Sequence, residues 1–184
     1  MKSYRWALAF IAVCVLIGGG LFVWSGYYNV GANVPHWKLT LLALEAVRER
    51  SIEVHSKGIV SPPLNNAKLV EAGVPLFHET CRLCHGAPGW ERNRFAKGMY
   101  PHPPSLMKGE VQKEATDAEI FWVVKNGLKM TGMPSFGLDY SDDQIWSILA
   151  FVRQLPQVSP EDYKRQVQAP TPKKVRTDAS RTKG

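Results

Sequence analysis

The chain has 184 residues, of which 45% are hydrophobic and 21% charged, a length and balance that suit one domain with appendages. Its formal net charge of +7 is unevenly spread, because residues 66–155 hold ten Lys/Arg against ten Asp/Glu while residues 156–184 hold seven against three. The basic character therefore belongs to the ends, and a nucleic-acid partner is excluded, since the basic end carries no interleaved aromatics.

Residues 1–5 contain Lys2 and Arg5 and read as a short cytoplasmic lead. Trp6 to Trp24 is a run of nineteen residues without a charge. As a helix it is about 28 Å long, close to the hydrocarbon thickness of a bilayer. Trp6, Trp24, Tyr27 and Tyr28 stand at its ends, where interfacial aromatics belong. Residues 6–28 are therefore predicted to be a transmembrane anchor, and the basic lead followed by a neutral flank places the N-terminus in the cytoplasm. A cleaved export signal is the competing reading, with Val30-Gly31-Ala32 as its site; the long apolar run and two intervening tyrosines favour the anchor. Cys14 lies inside the run and reads as a small apolar residue.

Residues 35–57 are predicted to form a juxtamembrane amphipathic helix. Trp37, Leu41, Leu44, Val47, Ser51 and Val54 follow the spacing of a single face, and Glu45 with Arg48 and Glu53 with Lys57 add ion-pair support. Leu39, Leu42 and Ala43 fall off that face, so the first half is expected to be covered on more than one side, by a partner subunit in preference to headgroups or the following domain. His36 and His55 read as ordinary histidines. Residues 58–65, with Pro62-Pro63, form a stiff extended linker, after which Asn65 or Asn66 can cap a helix.

That helix runs into Cys81-Arg82-Leu83-Cys84-His85, a Cys-x-x-Cys-His motif. Two thiols about one helical turn apart meet the two vinyl groups of a porphyrin, and the next residue offers its imidazole to the iron, so the motif reads as the attachment site of one c-type haem. Zinc would need two further ligands, yet the only other cysteine is Cys14. A redox disulfide would sit in a βαβ pattern, which is absent. With Cys81 and Cys84 committed to haem, no disulfide framework remains.

The stretch to Pro101-His102-Pro103-Pro104 is irregular and rich in Gly and Pro, as suits a segment wrapped around a porphyrin edge. Trp90, Arg92, Arg94 and Tyr100 are candidates for its propionates. Thr116-Asp117-Ala118-Glu119 and Ser141-Asp142-Asp143-Gln144 are capping boxes opening two helices, the first closed by Gly127 and the second by Pro156. Ile145, Ile148, Leu149, Val152 and Leu155 form the apolar face of the last one, with Trp146 and Phe151 beside it. Between the two helices, Gly132-Met133-Pro134 is a rigid bend able to press a thioether onto iron, whereas Met107 and Met130 read as core filler. His102 ranks below Met133 as a ligand. Residues 157–184 are polar, proline-dotted and without periodicity, and read as a basic disordered tail. With no strand signal, the domain at 66–156 is all-α.

These motifs together resemble a class I cytochrome c from about Asn66 to Leu155. The resemblance implies that fold, with haem iron held by His85 and Met133, and it implies roles for four further residues. Pro104, in Pro104-Ser105-Leu106, would accept a hydrogen bond from His85, Leu106 would pack on the porphyrin, and Gly73 and Phe77 would pack on the last helix. It implies export as well, which puts the domain in the periplasm at the bacterial inner membrane. The expected function is single-electron transfer by a single-pass, membrane-anchored mono-haem cytochrome, working with redox partners or as a subunit of a membrane complex. A haem enzyme acting on a small oxidant or sulfur compound, and a structural subunit, are the alternatives.

Overall fold

The structure, a computed structural model, describes residues 2–169. It divides into two units, residues 1–35 and 36–184. The first contains α1 (Lys2–Ser25). Within it, Tyr4–Ser25 is the one stretch among the described residues with the length and apolar composition to cross a membrane. None of it is buried, which separates it from the core helix of a soluble domain.

The second unit carries α2 (Lys38–His55), α3 (Ala67–Leu76), α4 (Arg82–His85), α5 (Arg94–Lys97), α6 (Glu110–Glu114), α7 (Asp117–Asn126), α8 (Asp142–Gln154) and α9 (Pro160–Gln168). No strand occurs among the described residues, and the fold is all-α as expected.

Helix α8 is the centre. Ser141 accepts from the Gln144 N–H while Gln144 accepts from the Ser141 N–H, so both orphan donors at its start are satisfied. Every residue from Ile145 to Val152 is buried. One side packs Ile148, Phe151 and Val152 against Val70, Val74 and Phe77 of the α3 segment. The other packs Ile145, Trp146 and Leu149 against Ile120, Phe121 and Val124 of α7. Helix α3, capped by Asn66 accepting from Lys68 N–H at 3.0 Å, crosses α8 at Gly73. A Cβ there would overlap the Ser147 carbonyl, so only glycine lets the backbones meet. Phe77 lies edge-on to Phe151, ring centroids 5.2 Å apart.

Helix α2 packs on α7, where the His55 ring lies 5.6 Å from Trp122. Leu41, Leu44 and Ser51 lie on its covered side, but Val47 and Val54 are exposed and Arg48 and Ile52 take the inward positions. Of the six-residue face, Trp37, Val47 and Val54 are therefore exposed, because the side facing α7 is set by contact and not by the apolar pattern. Leu39 and Leu42 are also exposed, so among the described residues of this unit the helix is covered on one side.

The expectation of a disordered tail from residue 157 is corrected. Residues Pro160–Gln168 form α9, begun by Ser159 accepting from Asp162 N–H at 3.1 Å and by Pro160 in the first turn. Tyr163 is fully buried against Phe77 and Phe151, and burial of that one large ring fixes a helix otherwise polar. Residues 170–184 lie outside the described residues.

Candidate haem-attachment site

The helix carrying Cys81 and Cys84 is continuous with α3 but changes pitch. Pro75 lies inside α3, and the next residues, Phe77–Cys81, form a wider π-type turn before α4. Such turns are frequent at functional sites. Gly86, at φ 76°, ends α4 in a conformation only glycine adopts readily. The chain then folds back: Ala87 and Trp90 exchange backbone hydrogen bonds of 3.0 and 2.8 Å, and Asn93 N–H donates to Leu83 O at 2.9 Å. The returning segment is held against the turn that presents both cysteines.

His85 is fixed from behind. Its Nδ1 is 2.8 Å from the Pro104 carbonyl, to which it donates, so the other ring nitrogen, Nε2, is the one left to bind a metal. Burial, with the Arg92 cation adding to it, depresses the His85 pKa, and the Pro104 bond only partly opposes this. The ring is thus held neutral, the form that ligates. Burial also raises the Cys84 thiol, and pushes Cys81 up to about 12. Environments that disfavour the thiolate suit neutral thioether sulfur.

Arg92 donates to Pro103 O at 2.9 Å and so holds the loop that supplies Pro104. Trp90 lies under the Arg82 guanidinium at 4.7 Å and edge-on to His78. Tyr100 meets the rings of His36 and His102. Arg94 and His102 are exposed. Leu106 is buried in the core group of Phe77 and Phe151.

The bend carrying Met133 is strapped to α7. Leu128 N–H donates to Met133 O at 3.1 Å, Thr131 Oγ1 accepts from Met133 N–H at 3.1 Å, and Ser135 Oγ donates to Lys125 O at 2.7 Å. Gly127, at φ 70°, allows Pro134 to lie against it. The Met133 side chain is half-buried beside the α7–α8 core group. Met130 is not core filler: it is 72% exposed and has φ 59°. Met107 does pack on the core.

A Cys-x-x-Cys-His turn whose imidazole is pinned by a proline carbonyl, with α3 crossing α8 at a glycine, is a recognisable assembly. Residues 68–152 match the family described as cytochrome c oxidase, cbb3-type, subunit III. This segment is a class I c-type cytochrome domain. The match spans less than half the chain and leaves out α1, α2 and α9. No curated protein matches the chain.

The cytochrome domain's own residues fit a covalent haem. Cys81 and Cys84 flank the turn that ends at His85, whose Nδ1 is taken by Pro104 O, a donor set that suits a metal whose other ligands come from a porphyrin.

The sequence reading missed His78 and Tyr163. His78 Nδ1 is 2.8 Å from Tyr163 OH, joining the turn before Cys81 to α9. The available signal was Ser159-Pro160-Glu161-Asp162, a capping serine with proline in the first turn and acids behind it.

Proposed function

We propose that the chain is a membrane-anchored mono-haem cytochrome that passes single electrons in the periplasm, as a subunit or close partner of a membrane redox complex. The observation that carries this reading is the His85–Pro104 hydrogen bond, which aims Nε2 away from the proline loop. Cys81 and Cys84 would tether the porphyrin, His85 and Met133 would ligate the iron, and Leu106 would cover one face. Bound there, the haem supplies one-electron exchange between ferric and ferrous iron, and methionine as the second ligand raises its potential.

The chain supplies the rest. Pro104 holds the imidazole, Arg92 holds the proline loop, and the straps to α7 keep the Met133 thioether in place, so little has to move when the charge changes. His85 and Met133 together would leave the iron no place for a substrate, which favours a carrier over an enzyme. The charge-free run of α1, its terminal aromatics and the basic lead support an anchor with the domain outside. Anchoring confines the domain near the membrane and raises its effective concentration beside a membrane partner.

The test is spectroscopic, on the full chain in detergent. The ferric protein should show the weak charge-transfer band of methionine-ligated haem and the ferrous protein should bind carbon monoxide poorly. In Met133→Ala the band should vanish and carbon monoxide should bind. Ready carbon monoxide binding by the parent protein would turn the reading toward the haem enzyme.

A further inference from the structure

The Met133 bend has two walls. The straps described above brace it within itself, through Leu128 and Thr131, and tie it to α7, through Ser135 on Lys125 O. On the other side stands Met99, half-buried just after α5, its N–H directed to Ala96 O at 3.4 Å. A Cβ on Gly132 would press into the Met99 Sδ and lie 3.0 Å from its Cγ and 3.1 Å from its Cε. Real side chains do not approach so closely. Gly132 is not among the residues of positive φ, so its backbone does not call for glycine. The atoms met there are the flexible end of Met99, so a side chain at 132 and the Met99 thioether compete for one space.

Met99 also belongs to the segment tied to the attachment turn, through Asn93 N–H on Leu83 O and the short α5 that follows. A contact from Met99 to Gly132 thus connects the wall that holds Cys84 and His85 to the residue next to Met133. We propose that Met99 is the positioning residue for the distal ligand: its side chain, seated on Gly132, sets how far the Met133 bend stands from the attachment turn. The proposal rests on the reading of Met133 as the iron ligand. It requires bulk at position 99 and not sulfur. It also requires that a side chain at 132 and a full side chain at 99 exclude each other.

The experiment uses the haem-loaded full chain in detergent, reading the ferric methionine band and ferrous carbon monoxide affinity, with haem content as the check on assembly. Met99→Ala should weaken the band and raise carbon monoxide affinity about tenfold, the size of a contact-coupling effect, while Met99→Leu should stay within about twofold of the parent. Gly132→Ala should behave like Met99→Ala or worse, and the pair Met99→Ala with Gly132→Ala should recover most of the parental band. A Met99→Ala protein identical to the parent overturns the proposal even if Gly132→Ala fails to assemble, and so does a pair no better than Gly132→Ala alone. A methionine band that survives Met133→Ala overturns the ligand assignment and this proposal with it. Loss of the band there, with a parental Met99→Ala, overturns the proposal only.

Discussion

The two sides of α8 are held by different physics. Toward α3 and α9 the fold rests on burial: Phe77, Phe151 and Tyr163 are fully buried, and Gly73 brings two backbones into contact. Toward α7 the apolar group is smaller, and the functional bend beyond it is held by single hydrogen bonds to the end of that helix. Dense burial makes the attachment side costly to deform, while the bend depends on a few hydrogen bonds that single substitutions remove. The difference suits the proposed haem, tethered through Cys81 and Cys84 on one side and met by Met133 on the other.

Substitutions that break this contrast range from global to local. Gly73→Ala, forced against the Ser147 carbonyl, should cost about 4 kcal/mol, because two helices have to separate; denaturant midpoint measures it. Tyr163→Ala should cost about 3 kcal/mol by cavity formation, and Tyr163→Phe about 1 kcal/mol by loss of the hydrogen bond to His78. A Tyr163→Ala protein of parental stability would show that α9 is dispensable. On the other side Ser135→Ala should cost about 1 kcal/mol in the same assay, yet weaken the ferric methionine band, an effect the Tyr163 variants should lack.

The smallest expected effect is a pH dependence on the burial side. Partial burial, and then the Arg82 cation, lower the His78 pKa, with Glu79 opposing. The native state therefore binds fewer protons than the unfolded one. Stability from this group is present above the ordinary histidine value and is lost as pH falls through the lowered folded value. Thermal midpoints should drop less with acidification in His78→Gln than in the parent. Equal drops would remove His78 from the account.

Much of this was readable in one dimension. The cysteine spacing, both capping boxes, Asn66 as a cap and the charge-free run from Trp6 to Trp24 each depend on residues a few positions apart, and the structure forms the corresponding local elements. The inward face of α2 was misread at Val47 and Val54, because helical periodicity says which residues align but not which side meets α7. Helix α9 was misread because its one-turn spacing of Tyr163 and Val167 is only two apolar positions long and is set in a polar, proline-dotted stretch.

What the sequence by itself determined is therefore local chemistry: two thiols and an imidazole on one turn, caps that begin helices, an apolar run of spanning length. Only the tertiary structure decided that Tyr163 meets His78 across 85 positions and that Met99 fills the space in front of Gly132. The reason is physical. Local preferences act through a residue's own neighbours in the chain, whereas which distant side chains share a volume is fixed only when the whole core packs at once.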